Sequence, residues 1–213
     1  MKIKWLGHAS FLITSDNGTR IITDPYGPRD DLRYGEIRET ADIVSVSHDH
    51  SDHGNVSAVR GNPQVVRGTA TAKGISFRGI ATFHDDSAGG KRGKNTIICM
   101  TVDDVTVCHL GDLGHALTGK QVAEIGKVDV LLLPVGGFYT IDARTAGQVS
   151  DQLKPRVIIP MHFKNSKCAF PIAGVEEFLK GEKNVKQADS SEVEFKAGSL
   201  PAETQIIVLK PAL

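Results

Sequence analysis

The segment "SVSHDHSDHGNV", Ser45 to Val56, sets three histidines and two aspartates within the six positions from His48 to His53. It overlaps the end of "DIVSVS", whose apolar alternation reads as a strand, so the polar cluster stands at a strand's C-terminal end. The chain has only eight histidines, and a solvated turn built of Ser, Asn and Gly would not need three of them. Neutral imidazoles and carboxylates are the ligands of zinc and similar divalent metals. In extended chain, residues two apart point the same way, so His48 and His50 can face one position while a turn swings Asp52 and His53 toward a second. A histidine cluster alone does not define a metal centre; further ligands have to come from other strand ends.

Three other segments supply them. "GIATFH" ends at His84, "VCHLGD" at Asp112 and "RVIIPMH" at His162, each after an apolar strand-like run. Rigid strands that finish at one rim can converge their termini on a common point. The ordered set His48, His50, Asp52, His53, His84, Asp112 and His162 resembles the metal-binding pattern of the metallo-β-lactamase-fold hydrolases, over nearly the whole chain. "GHAS" near the start, "TDP" after the first hairpin and "GDLGH" make it similar to a small-domain branch of that family. That branch includes ascorbate-6-phosphate lactonase-like enzymes and N-acyl phosphatidylethanolamine phospholipase D.

The resemblance implies an α+β fold, a four-layer αββα sandwich with two mixed sheets inside, helices on both outer faces and metals at one rim. It implies two divalent metal ions, with His48, His50 and His84 on one, Asp52, His53 and His162 on the other, and Asp112 bridging. Zinc is the expected metal, and manganese, nickel and iron accept the same ligands. Two such metals roughly 3.5–4 Å apart activate a hydroxide and polarise a scissile carbonyl or phosphoryl oxygen. Asp52 is then also the catalytic carboxylate that orients the nucleophile or carries its proton. Asp85 and Asp86, next to His84, are alternative ligands at that strand end.

His8, in "LGHAS", reads either as a core histidine between two strands or, from the resemblance, as a contact to substrate or to a ligand histidine. His115, three residues after Asp112, divides between substrate contact and loop packing, whereas His109 sits mid-strand and reads as core. Asp24 is a common turn residue ahead of Pro25. An internal echo changes its reading: "SFLITSDNGTRIITD" and "NTIICMTVDDVTVCHLGD" share strand, polar turn, strand and terminal aspartate, which pairs Asp24 with Asp112. Asp24 then becomes an acceptor for the second N–H of a ligand histidine. Tyr139, with Gly136 and Gly137, ends a buried strand where it can shape a pocket.

The remaining sequence sets the boundaries. Its 213 residues suit one hydrolase domain spanning 1–213. Balanced charge, 25 basic against 25 acidic side chains, gives no global field for polyanions, so nucleic acid is disfavoured. Three cysteines without framework spacing point to a reducing compartment, with Cys99 and Cys108 as core residues. The start "MKIKWLGHASFLIT" lacks signal-peptide features and no apolar run reaches membrane-spanning length, so a cytoplasmic protein is expected. Asn17-Gly18 marks a first hairpin and Asp103-Asp104 a second, residues 24–40 read as an irregular loop, and helices are predicted over 118–127, 142–154 and 174–181.

"AGGKRGKN", from Ala88, fails the P-loop spacing at both ends and reads as a flexible hairpin loop, with Lys91, Arg92 and Lys94 placed to meet an anion. The expected activity is therefore hydrolysis of an ester-like bond in a small anionic molecule, a phosphodiester or phosphorylated lactone being favoured. The alternative is a catalytically silent scaffold of the same fold that binds metal without turnover.

Overall fold

The computed structural model describes residues 1–213. The chain opens with β1 (Lys2–Gly7), β2 (Ser10–Thr14), β3 (Arg20–Thr23), β4 (Ile43–Ser45) and β5 (Gln64–Val66). A run of β6 (Ala70–Ala72), β7 (Ile75–Phe83), β8 (Lys94–Val102) and β9 (Val105–His109) follows. Helices then alternate with strands: α1 (Gly119–Ile125), β10 (Val130–Pro134), α2 (Ala143–Leu153), β11 (Val157–Met161) and α3 (Val175–Leu179). The chain closes with β12 (Val185–Gln187), β13 (Glu192–Glu194) and β14 (Gln205–Val208).

Two mixed sheets result, a six-stranded one in the order β13-β1-β2-β3-β4-β5 and an eight-stranded one in the order β12-β14-β11-β10-β9-β8-β7-β6. This is the metallo-β-lactamase fold. The first sheet buries both of its faces, and its sequence shows why. In β2, β3 and β4 alternate side chains go to different cores: Phe11, Ile13, Ile21 and Ile43 join the large cluster, while Leu12, Ile22 and Val44 join a second one. The second cluster is closed by Tyr26, Leu32, Tyr34 and Ile37, so irregular chain rather than a long helix covers this face. The sequence reading of 24–40 as a plain loop missed that packing role, because its apolar residues follow no regular period.

Strand direction decides where the functional residues fall. β1 and β3 each pair antiparallel with β2, and β4 pairs parallel with β3, so β1, β3 and β4 run the same way. In the other sheet β7 and β9 each pair antiparallel with β8, and β9, β10 and β11 are parallel. The residues just past the ends of β1, β3 and β4 therefore share one rim of their sheet, and those past β7, β9 and β11 share one rim of the other. His8, Asp24 and the His48–His53 segment lie on the first rim; His84, Asp112 and His162 lie on the second.

Turn chemistry follows the predicted signals. Asp103 and Asp104 both adopt positive φ, 49° and 61°, the pairing a two-residue hairpin between twisted strands requires. Thr118 and Gln121 form a reciprocal capping box on α1, and the Asp142 carboxylate accepts the Thr145 N–H at the start of α2. Among the glycines, Gly111 is constrained twice: its φ is +55°, and a Cβ there meets the Asn95 amide and the Ser47 side chain. A methyl group at Gly147, inside α2, would instead meet nothing within 4 Å.

The two glycines should respond with opposite sign. Gly111→Ala is expected to lower unfolding stability by at least about 2 kcal/mol, since a strained φ and overpacking add. Gly147→Ala is expected to raise it by about 1 kcal/mol through helix propensity. Thermal melts of the two variants check this, at roughly 2–4 °C per kcal/mol for a chain of this size.

Candidate metal centre

Six imidazoles and three carboxylates from the two rims meet in one volume. The ligand atoms of His48, His50 and His84 lie within 4.8 Å of one another, and so do those of His8, His53 and His162. Between the two groups stands Asp112. Its Oδ2 is 2.9 Å from His84 Nε2, 3.2 Å from His53 Nε2, 3.5 Å from His162 Nε2 and 3.9 Å from His48 Nε2. Asp52 approaches the second group, with Oδ2 3.5 Å from His8 Nε2 and 4.0 Å from His53 Nε2.

Short hydrogen-bond chains set the ring orientations. Asp24 Oδ1 accepts the Ser47 backbone N–H at 2.7 Å, and its Oδ2 accepts the Ser47 hydroxyl at 2.5 Å and His53 Nδ1–H at 2.9 Å. Ser47 Oγ, having donated to Asp24, accepts from His48 Nδ1 at 2.9 Å. Both rings are thereby held with Nε2, the nitrogen left over for a metal, on the side of Asp112. Backbone contacts join the rims as well: His162 N–H and the Trp5 indole N–H both donate to the His8 carbonyl, at 3.2 and 3.0 Å. His8, Asp24 and His162 have positive φ of 52°, 37° and 51°, a left-handed conformation that side-chain-bearing residues rarely adopt and that clusters at functional sites.

Charge is held in the site against burial. Burial pushes Asp112 up, but the imidazoles of His162 and His53 outweigh it and hold the carboxyl well below the usual range. Asp52 is likewise raised by burial and lowered further by the nearby His8 and His53 rings, with a net fall. Burial dominates at His8 and His48, pushed down to about 3 and about 4, so these rings stay neutral and available as donors of a lone pair. His53 resists burial and rises, because Asp112 and Asp24 flank it. His84 rises against burial as well, through Asp112, so the buried carboxylates draw positive charge onto the two rings nearest Asp112 while burial keeps His8, His48 and His50 from carrying it.

That combination suits divalent cations. His53 Nε2, His84 Nδ1, His162 Nδ1, Asp112 Oδ1 and both His8 nitrogens are buried without a hydrogen-bond partner. The separations fit too. Metal–nitrogen bonds of 2.0–2.1 Å in a tetrahedron require ligand atoms about 3.3 Å apart, close to the 3.1 Å between His48 Nε2 and His50 Nδ1 and the 3.2 Å between His53 Nε2 and Asp112 Oδ2.

All seven residues expected as ligands come together here, and so do His8 and Asp24. His8 goes further than the sequence implied, standing inside the second imidazole group. His115 stands apart from them: its Nε2 accepts the Phe83 N–H at 3.2 Å and its Nδ1 donates to the Ala116 carbonyl at 2.8 Å, beside a neighbouring cavity that it lines together with His84 and Arg92. His109 is a buried core residue, donating to the Ala9 carbonyl. Asp85 and Asp86 are not alternatives to His84. Asp85 accepts four backbone N–H groups, from Ser87, Gly89, Lys91 and Arg92, at 2.7–2.9 Å, while Asp86 pairs with Lys91 outside the pocket. The 88–94 segment expected to be flexible is therefore wrapped around a buried carboxylate.

A cavity of about 300 Å³ opens over the centre, lined by Asp52, His84, Asp112 and His162, by Arg92 and Tyr139, expected near an anion and a pocket, and by Arg29 and Phe170, which no sequence signal singled out. The larger cavity of about 780 Å³ over the 26–38 segment contains no imidazole, so the smaller one is the chemically equipped site. No helix is long and apolar enough to cross a membrane.

Comparisons with known proteins show the family. A family model described as Beta-lactamase superfamily domain matches residues 2–162. The chain is 30% identical to a UPF0173 metal-dependent hydrolase of Lawsonia intracellularis, over 91% of this chain and 94% of the relative. It is 31% identical to a UPF0173 protein of Pyrococcus furiosus, over 84% and 90% respectively. A crystal structure from Thermotoga maritima, named as a candidate zinc-dependent hydrolase of the metallo-beta-lactamase superfamily, superposes with a TM-score of 0.80 at 39% identity, covering 98% of this chain and 97% of that one.

Asp24→Asn should separate ring orientation from folding. Metal affinity, measured by competition with a chelator, is expected to fall ten- to a hundredfold. Asp142→Ala, which removes only the α2 cap, should lose about 1 kcal/mol of stability and leave that affinity unchanged.

Proposed function

The chain belongs to the beta-lactamase superfamily and, within it, to the UPF0173 metal-dependent hydrolases, and on that footing we propose that it cleaves an ester-like bond in a small anionic substrate with two divalent metals. The observation that carries this reading is the position of Asp112, one carboxylate oxygen within 4 Å of imidazoles from both histidine groups. His48, His50 and His84 would hold one metal, and Asp52, His53 and His162 the other, with Asp112 between them. The name of the Thermotoga relative favours zinc. When bound, the metal pair supplies Lewis acidity, which acidifies a water and polarises the oxygen of the scissile bond.

The protein's own residues do the rest. Asp52 is the most open of the site carboxylates, with a side chain 13% exposed against 2% for Asp112. Held ionised beside the cavity, it can orient the incoming water and accept its proton. His8, 3.5 Å from the Asp52 carboxylate, fixes that group, and Asp24 fixes the tautomers of His53 and, through Ser47, of His48. The Tyr139 and Phe170 rings, 5.4 Å apart and edge to face, wall the cavity on its apolar side. Cavity size favours a small molecule, and the neighbouring cations together with the branch resemblance favour a phosphodiester or a phosphorylated lactone. Residues 1–213 are read as one hydrolase domain throughout.

Protein purified without added metal should carry close to two equivalents of divalent metal by elemental analysis, and should turn over at least one member of a panel of esters, lactones and phosphodiesters. Asp52→Asn is expected to lower kcat about 10²- to 10⁴-fold, the range of a general base. Metal retained with no turnover on any member of the panel would identify a silent scaffold and overturn the hydrolase reading.

A further inference from the structure

Five cationic side chains line the cavity over the imidazoles or the two beside it, and four are committed or displaced. The Arg29 guanidinium is tied to Asp31 through Nε and a terminal nitrogen, at 2.8 and 2.9 Å, and to Ser51 Oγ at 3.1 Å. Lys91 pairs with Asp86 at 2.8 Å, and Arg67 pairs with Asp49. Lys94 is exposed and lines the adjoining cavity, not the one over the imidazoles.

Arg92 differs from all four. It is half-buried, lines the 300 Å³ cavity, and its guanidinium has neither an ion-pair nor a hydrogen-bond partner in the protein. Its position is nonetheless fixed. Its backbone N–H donates to Asp85 at 2.7 Å as one of the four that wrap that carboxylate, and its guanidinium carbon sits 5.4 Å from the centre of the Tyr139 ring. A contact with the aromatic ring, unlike a salt bridge, leaves the guanidinium N–H groups free for a planar, bidentate acceptor.

We propose that Arg92, seated on Tyr139 and positioned by Asp85, receives a non-reacting anionic group of the substrate, a phosphate or a carboxylate, while the bond to be cleaved lies at the imidazole cluster. This rests on the hydrolase reading and deepens it to a substrate class: a small ester or lactone with a second, remote anion. Arg92 is a specificity residue under this proposal, acting on binding of the remote group and not on the bond that breaks.

Product-like ligands test it without requiring turnover. For the metal-loaded full chain, calorimetry would compare 6-phosphogluconate with gluconate and, separately, glutarate with butyrate. Within each pair the carboxylate a hydrolysis would generate is common, so the difference reads only the remote phosphate or remote carboxylate. Wild type is expected to prefer the doubly anionic member about ten- to a hundredfold in one of the two arms, and the favoured arm identifies the source of the anion.

Arg92→Gln should reduce that preference to within about threefold while leaving affinity for the singly charged partner unchanged, and Arg92→Lys should fall between. Lys94→Gln, from the same loop, should keep the preference. Metal content and melting temperature of each variant establish that it is folded. No preference in either arm for wild type, a preference that survives Arg92→Gln, or equal weakening of both members overturns the proposal. A wild type that turns over esters yet shows no preference refutes this inference alone; a wild-type preference that Arg92→Gln abolishes, with no turnover on any ester, refutes the hydrolase reading instead.

Discussion

The structure is organised around the buried carboxylate of Asp112. An isolated charge in such a position is costly, and burial here is nearly complete. The fold meets that cost with imidazoles delivered from both sheets, and the delivery depends on backbone placement. Gly111 turns the chain in the left-handed region immediately before Asp112, and the Asp112 N–H donates to Asn95 Oδ1 at 3.0 Å. Asn95 is itself held by donating to Thr82 Oγ1 and the Leu110 carbonyl, at 2.8 and 3.0 Å. Three adjacent strands of the larger sheet, β7, β8 and β9, thereby contribute to locating a single oxygen.

Much of the site was legible because its residues obey rules that act locally. The cluster at His48–His53 stands out in composition, and His84, Asp112 and His162 each end an apolar run whose strand character is readable from alternation or hydrophobicity. What makes them converge is less local. It is the shared direction of β1, β3 and β4 in one sheet and of β7, β9 and β11 in the other, which depends on pairing between distant segments. Only the family resemblance carried that step at the level of sequence.

Other features escaped because no pattern along the chain encodes them. β6 and β12 are three-residue strands with little buried surface, too short to show a period. The Asp85 carboxylate gives no sign in sequence that four N–H groups will fold around it; "DDSAGGKRGKN" has the composition of a mobile loop, and its order comes from a single buried acceptor. The wall of Tyr139 and Phe170 joins residues from separate connections after β10 and β11. Cys99 and Cys108, read correctly as core, face each other across β8 and β9 with sulfurs 3.1 Å apart. Backbone strain at His8, Asp24 and His162 was also invisible, and it marks the site as a place where stability yields to geometry.

The division of donors between the two sheets has a mechanical consequence. Cations seated as proposed would act as rivets through one end of the sandwich, fastening segments as far apart in the chain as His48 and His162. Such a fastening shortens the loops available to an unfolded chain, so its effect on the entropy of denaturation resembles that of a cross-link. The same ions that serve chemistry at the rim would then double as clamps against shear between the layers, and turnover and durability would be drawn from one shared component.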